Sequence, residues 1–369
     1  MPRIQMDERE LNAVTQLVRR AMVEGGAFDR YEGPEVDLYE RELADYFGVA
    51  HVTCVSSGTA AVHSALGALD LEPGSEVICS AFTDPGAVMP IIWNNSVPVW
   101  ADHDPEHFLM SPDGVRSVIT PFTRAIVVGQ IHGYVANMPA ILEIAVEHGL
   151  TVIGDCSQAH GSTYAGSRSA PFGHIGAVSL MSGKQMVAGG QGGMVATNDE
   201  RLYWAAKRFA DRGKPFGQAA TSNTALGLNY RMHELEAVIG RVQLTKLDQI
   251  MASRRRILAG IHEGLGELSA LRPIPALDGV EINPWSALFL LESEHVAVDN
   301  ALFARAVTEE GIPMSHSYRN AMVFDLEFMR RRKTFGSSGF PWGHQLGGRT
   351  IVWQEPDLPN ARELSKKLL

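Results

Sequence analysis

Three polar segments, each directly after or between short apolar runs, contain residues that could do chemistry. Ser57, Gly58 and Thr59 follow HVTCV and open a helical stretch, where N–H groups could bind phosphate or where the hydroxyls could simply cap the helix. Asp155 follows TVIG, and a carboxylate there could ligate a metal, cap a helix or pair with a cationic heterocycle. Lys184 lies in a glycine-rich stretch with room for a bulky adduct. Each segment alone also has a purely structural interpretation.

Together the three segments match the needs of pyridoxal phosphate. The lysine would form a Schiff base with the cofactor aldehyde, and the aspartate would pair with the protonated pyridine nitrogen. A carboxylate beside that nitrogen favours its protonated form, which keeps the ring an electron sink. A Walker-type phosphate loop is excluded because Gln185, and not Ser or Thr, follows Lys184.

These residues need a sheet to position them, because open α/β sheets bind ligands beyond the carboxyl ends of their strands. Seven short apolar runs predict such strands, with helical stretches between the early ones. The runs cover 51–55, 76–80, 97–101, 125–131, 151–154, 177–181 and 193–197. We therefore predict an α/β protein with a large cofactor-binding domain over residues 1–250, built on a seven-stranded, mainly parallel sheet, and a smaller C-terminal α/β domain over residues 251–369.

Helical periodicity predicts the elements around this sheet. Asp7 and Glu10 have the spacing of a capping box before the first helix. A proline-free pattern from Leu235 to Leu265 predicts a long helix that bridges domains or lies in an interface, and we expect the arginines at 254–256 on it to face solvent. Further helices are predicted near 35–47, 60–69, 86–93, 139–148 and 298–310, and the segments ALFLLES and IVWQE are expected to contribute to the smaller domain.

Composition excludes several other classes of protein. The 369 residues are 45% apolar, and 42 Asp and Glu outweigh 32 Lys and Arg, for a formal charge of −10. This surplus opposes nucleic acid or an anionic membrane as the main partner. The three cysteines, Cys54, Cys79 and Cys156, form no C-x-x-C pair, so we expect buried thiols and no metal site. The N-terminus has no apolar signal segment, and we expect a cytoplasmic enzyme.

Four segments of the sequence resemble the DegT/DnrJ/EryC1/StrS family of sugar- and cyclitol-directed aminotransferases, which are fold-type I pyridoxal-phosphate enzymes. The resemblance runs from about Glu24 to Asp248 and continues more loosely to the C-terminus. The segments that carry it are SSGTAAVHSAL, DCSQAHGSTYAG, VSLMSGKQMVAGGQGGMVATND and LNYRMHELEAVIGRVQLTKLD. The resemblance implies the fold, the cofactor and a set of site residues.

In this family, Lys184 would carry the cofactor and later shuttle a proton, while Asp155 would pair with the pyridine nitrogen. Gln158 would lie near the phenolic oxygen of the cofactor. The expected phosphate ligands are Ser57, Gly58, Thr59 and Ser179, together with Asn229 from the neighbouring subunit. The resemblance therefore implies a homodimer with a shared active site. It also matches His160 and Arg231, interpreted as structural supports, and His132, expected to pack under the cofactor.

Two positions depart from the family pattern. Asp84, counted among the cofactor-binding positions, stands where members usually place an aromatic residue that stacks on the cofactor ring. Either Phe82 or another residue covers the ring, or that face is unusually open. Gln191 stands where glutamate is common.

The resemblance implies transfer of an amino group from glutamate or glutamine to a ketone on a sugar or cyclitol. The segment HSYRNAMVFDLEF is similar to 3-amino-5-hydroxybenzoate synthase, which favours a carbocyclic or unusual keto substrate in secondary metabolism, such as antibiotic biosynthesis. Two alternatives stay open: elimination or dehydration on the same cofactor, and a catalytically idle regulatory homologue. Lys184 argues against a dehydratase, because those members typically carry histidine there.

Overall fold

Helices and strands alternate along the first two hundred residues of the computed structural model, which describes residues 6–26, 28–31, 33–168, 172–318 and 321–369. The α-helices are α1 Glu8–Glu24, α2 Glu35–Phe47, α3 Gly58–Gly67, α4 Pro85–Trp93, α5 Pro112–Ser117, α6 Met138–His148, α7 Glu200–Phe209, α8 Glu234–Leu265, α9 Asn300–Glu309, α10 Glu327–Arg330 and α11 Pro359–Lys367. The strands are β1 His51–Val55, β2 Glu76–Ser80, β3 Val97–Ala101, β4 Thr123–Gly129, β5 Thr151–Asp155, β6 Thr163–Tyr164, β7 Ser167–Arg168, β8 Ile175–Ser179, β9 Gly193–Thr197, β10 Leu271–Pro273, β11 Val280–Glu281, β12 Phe289–Leu291, β13 Gln345–Leu346 and β14 Arg349–Thr350.

The seven predicted strands form one sheet in the order β1-β9-β8-β5-β4-β2-β3. Neighbours run parallel except β9, which is antiparallel to both β1 and β8. This confirms the predicted seven-stranded, mainly parallel sheet. Strands β4 and β8 each end two residues earlier than predicted, because the buried apolar residues Ile131 and Leu180 belong to the turns that follow the strands.

Burial on both faces explains why the apolar runs are continuous. Every residue of β2, β8 and β9 is buried, so these strands show no alternation between apolar and polar positions. Helix α3 packs on β8 and β9, while α1 and α2 pack on α8. The helices cover the sheet and leave the carboxyl ends of its parallel strands available for a site.

The predicted capping box of the first helix and the predicted long helix are both present. Asp7 and Glu10 form the capping box of α1, in which the Asp7 N–H donates to Glu10 Oε2 at 2.9 Å. Helix α8 is continuous over 32 residues, as predicted. The predicted division between residues 250 and 251 lies inside this helix and stays a prediction. No helix within the described ranges combines the length and the apolar character needed to cross a membrane.

The C-terminal third contains short strands and helices with a small separate cluster of apolar side chains. Strands β10 and β12 pair with each other, and β11 pairs with β6. The cluster consists of Leu271, Phe289, Leu291, Ala304 and Leu369. The IVWQE segment forms no strand; Ile351 instead exchanges backbone hydrogen bonds with Gly343 and His344 in a loop.

The expectation that the arginines at 254–256 all face solvent was wrong for Arg254, whose exposed fraction is 7%. Consecutive helical residues point about 100° apart, so three neighbours cannot share one face. Arg254 lies three residues after the buried Met251 and four before the buried Leu258, on the packed face of α8. Arg256 is exposed, as are residues 330–333, and the three cysteines are buried and free as expected.

Candidate active site

The predicted site residues, except Asn229, meet where β1, β5 and β8 end. Asp155 is the last residue of β5 and Ser179 the last of β8. The Ser179 N–H donates to Ser157 Oγ at 3.0 Å, which links the segments that follow these two strands. Lys184 lies in the turn between β8 and β9, where its N–H donates to Met181 O at 3.1 Å. Residues far apart in sequence thus form one site.

The start of α3 approaches Ser179 very closely. The Ala60 N–H donates to Ser57 Oγ at 3.1 Å, so the capping role left open for Ser57 is observed. A Cβ added to Gly58 would lie 2.5 Å from the Ser179 Cβ, a separation that real Cβ atoms do not tolerate. Thr59 is exposed beside them. Because N–H groups and the positive end of the helix dipole point out here, the cradle suits a phosphate.

Asp84 lies beside this cradle and caps the next helix. Its Oδ1 accepts a hydrogen bond from the Gly86 N–H at 2.9 Å. A Cβ added to Gly86 would lie 2.6 Å from Thr59 Oγ1 and 3.2 Å from Asp84 Oδ1, which places both side chains at the same spot. Phe82 is fully buried against the rings of His103 and Phe108 and has no surface to offer a ligand.

Asp155 is a buried carboxylate with an exposed fraction of 6%. Burial raises its pKa, while hydrogen bonds from Ser157 and the charge of Lys184 lower it, and the charge of Asp84 raises it; the net shift is upward. A cation placed against this carboxylate would favour its ionised form. The site therefore suits the protonated nitrogen of a heterocycle.

Lys184 is also buried, with 7% of its surface exposed. Its Nζ lies 5.1 Å from the ring centroid of Trp285, a residue that sequence analysis did not identify. The Trp285 Nε1–H donates to Gly183 O at 2.7 Å, directly before the lysine. No motif marks Trp285, because it lies where the family resemblance is loose.

Two buried histidines flank the lysine and remain neutral. Burial, reinforced by the nearby charge of Lys184, lowers the pKa of both His132 and His160 to about 3. His160 Nδ1 accepts the Met186 N–H at 3.2 Å and so braces the turn that carries Lys184. This geometry agrees with the supporting role predicted for His160. The His132 ring lies 5.3 Å from the Trp285 ring, so His132 is part of the wall of the site.

Gln158 is 3% exposed and bonded at both ends of its amide. Its Oε1 accepts the His132 N–H at 3.1 Å, and its Nε2 donates to the Tyr318 hydroxyl at 2.6 Å. Its predicted contact with the phenolic oxygen of the cofactor stays a prediction. Tyr318 was likewise not identified as a site residue from the sequence.

Asn229 lies apart from these residues, exposed on the surface of the chain. Arg231, two residues on, forms ion pairs with Asp211 at 2.8 Å and Asp29 at 3.2 Å, as expected of a structural support. Gln191 is also exposed. The contribution of Asn229 to a phosphate site stays a prediction.

The donor set fits pyridoxal phosphate. An amine that can be covalently loaded, a buried carboxylate that a cation would stabilise and a cradle too narrow for a side chain at Gly58 converge at one sheet edge. Lys184 would hold the aldehyde carbon, Asp155 the ring nitrogen, and the Ser57–Thr59 segment with Ser179 the phosphate.

Comparisons with known proteins find relatives with this chemistry. The DegT/DnrJ/EryC1/StrS aminotransferase family model matches residues 5–351. GDP-perosamine synthase of Caulobacter vibrioides is 35% identical over 248 residues, 65% of this chain and 65% of that protein. L-glutamine:2-deoxy-scyllo-inosose aminotransferase of Streptomyces kanamyceticus is 32% identical over 292 residues, 76% of this chain and 68% of that one. The chain thus aligns with about two thirds of the length of each relative.

A solved structure of 3-amino-5-hydroxybenzoic acid synthase is also similar. It superposes with a TM-score of 0.82 at 26% identity, over 99% of this chain and 90% of that one. Together, these similarities confirm the family resemblance, the fold type and the cofactor predicted from the sequence.

Proposed function

The chain belongs to the DegT/DnrJ/EryC1/StrS aminotransferase family, and we propose from this that it transfers an amino group from glutamate or glutamine to a ketone on a sugar or cyclitol. The product would serve amino-sugar or secondary-metabolite biosynthesis, including antibiotics. The observation that carries the proposal is the convergence of Lys184, Asp155 and the Gly58 cradle at one edge of the sheet.

The residues of the chain divide the work between them. Pyridoxal phosphate, when bound, supplies an electron sink for the charge left on a carbon that loses its proton. Asp155 would hold the proton on the ring nitrogen, and burial of this carboxylate would strengthen the pairing. Lys184 Nζ would hold the cofactor at its aldehyde carbon, and the freed amine would move a proton as the general base.

Neutral histidines leave this proton transfer to the lysine. With pKa values lowered to about 3, His132 and His160 are weak bases at neutral pH. The low exposure of Lys184 keeps bulk water from its Nζ atom. We propose that His132 and His160 shape the site and that Lys184 alone shuttles the proton.

The named relatives support the proposed substrate classes. One of them is named for L-glutamine as donor and 2-deoxy-scyllo-inosose, a cyclitol ketone, as acceptor. Another is named for a sugar nucleotide, GDP-perosamine. The similar solved structure is named for a carbocyclic product. Each name contains a six-membered ring that carries nitrogen or, in 2-deoxy-scyllo-inosose, receives it, and this supports a ketone on such a ring as the acceptor of this chain.

A half-reaction tests the proposal without knowledge of the acceptor. The purified holoenzyme, which is yellow when the cofactor is bound to the lysine, is mixed with single amino acids, and its absorbance and the released 2-oxo acid are followed. We expect glutamate or glutamine to bleach the long-wavelength band and to release one 2-oxo acid per site. With Lys184→Ala, no 2-oxo acid should be released. If no amino acid bleaches the band, transamination is rejected.

We further propose that two copies share each active site. Asn229 is exposed in a loop that also leaves Leu226 92% and Leu228 46% exposed, so the loop offers two apolar side chains that a second copy would cover. A second copy that buries these leucines would bring Asn229 of one subunit to the phosphate cradle of the other. The arrangement makes a specific prediction about mixed dimers.

Complementation tests the shared site. Lys184→Ala and Asn229→Ala each impair every site of their own dimer, but a mixed dimer holds one site with both changes and one intact site. Random mixing should therefore restore about a quarter of wild-type activity. No restoration, with mixed dimers verified by mass, would reject the shared site; a monomer in sedimentation would reject the dimer itself.

A further inference from the structure

We infer that Trp285 is a positioning residue for Lys184. The indole face of Trp285 lies against Lys184 Nζ and stabilises the positive charge of that nitrogen in the resting holoenzyme. This rests on the proposed function only in that Lys184 carries the cofactor. It assigns a task to an aromatic residue from the C-terminal third, in a chain that has Asp84 at the usual aromatic position.

The distance supports a cation–π contact. The Lys184 Nζ lies 5.1 Å from the Trp285 ring centroid, within the roughly 6 Å over which such contacts act. Tryptophan has the strongest quadrupole among the aromatic side chains, and the lysine is only 7% exposed, so little water screens the contact. The ring therefore favours the charged form of the nitrogen over the neutral form.

Hydrogen bonds hold the indole in this place. Its Nε1–H donates to Gly183 O at 2.7 Å, and its backbone N–H donates to His132 O at 3.0 Å. The first bond ties Trp285 to the residue before Lys184, and the second ties it to the neighbouring wall. The indole cannot rotate away without losing its bond to Gly183.

Arg254 anchors the same segment from α8. Its guanidinium donates to Pro284 O and to Trp285 O, each at 3.2 Å. Arg254 is buried, whereas Arg256, two residues on, is exposed. A buried guanidinium bound to two carbonyl oxygens is expensive to desolvate, and here it fixes the backbone that presents the indole.

Other charged and titratable groups face the same nitrogen. Asp155 acts on it from the end of β5, with Asp84 beside Asp155, while His132 and His160 act from two further turns. The Tyr318 ring packs on His132 at 5.6 Å. The Asp155 carboxylate also favours the charged nitrogen, so removal of the indole should weaken the preference and not abolish it.

The test is a pH titration of the absorbance of the purified holoenzyme, which reports protonation of the Lys184–cofactor linkage without any substrate. Trp285→Leu should lower the midpoint by about 0.5–1.5 pH units, the shift expected on losing a cation–π contact that little water screens. Trp285→Phe, which keeps an aromatic face, should recover about half of that shift.

Arg254→Met and Arg256→Met form a matched pair on one helix. Arg254→Met should lower the midpoint in the same direction, because the indole loses its anchor, and Arg256→Met should leave it unchanged. An unchanged or raised midpoint in Trp285→Leu at full cofactor content overturns the inference; if that variant does not fold, an unchanged midpoint in both Trp285→Phe and Arg254→Met overturns it. A protein that titrates as expected but is bleached by no amino acid would reject the proposed transamination and leave this inference standing.

Discussion

The site has two halves that are built in different ways. The strand-end half, comprising Gly58, Asp155 and Ser179, is placed by the backbone of the sheet. The covering half, comprising Trp285 and Tyr318, is placed by side-chain contacts to residues more than a hundred positions away, such as Gly183 and Gln158. Topology therefore dictates the first half, and side-chain choice dictates the second.

The two halves of the site differ in how well they tolerate substitutions. At Gly58 the backbone approaches Ser179 so closely that an added Cβ would meet another Cβ at 2.5 Å. In the covering half, the contacts are single hydrogen bonds and ring contacts at 5.1–5.6 Å, which a similar side chain can partly reproduce. Changes in the strand-end half should therefore impair function strongly, and changes in the covering half should have smaller effects.

The largest expected effect is at Asp155. Asp155→Asn removes the charge that we propose to hold the proton on the ring nitrogen, and it should slow transfer by on the order of 10²–10³-fold. Steady-state rates at saturating cofactor measure the loss. Glu147→Gln, at an exposed carboxylate, is the control and should leave the rate unchanged. A loss of less than threefold in Asp155→Asn would contradict the assigned pairing.

The next effect is on cofactor affinity at Gly58. Gly58→Ala should weaken cofactor binding about tenfold or more, because overpacking costs about 1–3 kcal/mol and distorts the phosphate cradle. Gly260→Ala is the matched control, since nothing lies within 4 Å of a Cβ there, and it should leave affinity unchanged. Fluorescence titration of cofactor-free protein gives both constants. Equal affinities for the two variants would contradict a role of the Gly58 cradle in binding the cofactor phosphate.

A smaller effect is expected in the covering half. Tyr318→Phe leaves the Gln158 amide without its partner, and Tyr134→Phe deprives Ile274 O of a donor at 2.9 Å. Each variant loses one hydrogen bond (the Gln158 amide keeps the bond from the His132 N–H to its Oε1), and both should lower the free energy of unfolding by about 1 kcal/mol. Only Tyr318→Phe should also change the absorbance spectrum of the bound cofactor. Identical cofactor spectra in the two variants would show that Tyr318 does not act on the bound cofactor.

The smallest expected effect is a gain in stability. Because burial raises the pKa of Asp155 in the folded state, the folded protein holds this proton more tightly than the unfolded chain, and stability falls as pH rises through that range. In the cofactor-free protein at pH 7, Asp155→Asn should therefore raise Tm by on the order of 1–3 °C. The gain should vanish near pH 3, in paired thermal scans. A lower Tm at pH 7 would contradict the assigned burial cost.

Most of the strand-end half could be predicted from the sequence. Strands buried on both faces appear as continuous apolar runs, and polar residues after a run must lie at the sheet edge, which places Asp155 and Ser179. Contiguous segments also carry the family resemblance there. The sheet and its seven strands were predictable for the same reason.

The covering half could not be predicted because its contacts are long-range. Trp285 lies 102 positions from Gly183, and nothing local indicates that their backbones meet. Arg254 in a run of three arginines has the appearance of a solvent-facing cluster, and only the packing of α8 decides that it is buried. Asn229 depends on a second copy of the chain, so its role stays a prediction.

Covalent labelling of Lys184 tests the central claim most directly. The yellow holoenzyme is reduced with borohydride, digested and analysed by mass spectrometry, with Lys184→Arg as the control. The account predicts that the cofactor mass is found on the peptide containing Lys184, that the long-wavelength band disappears, and that Lys184→Arg takes up no label. Label on a different lysine in the wild-type protein, or none on a fully loaded protein, would contradict it.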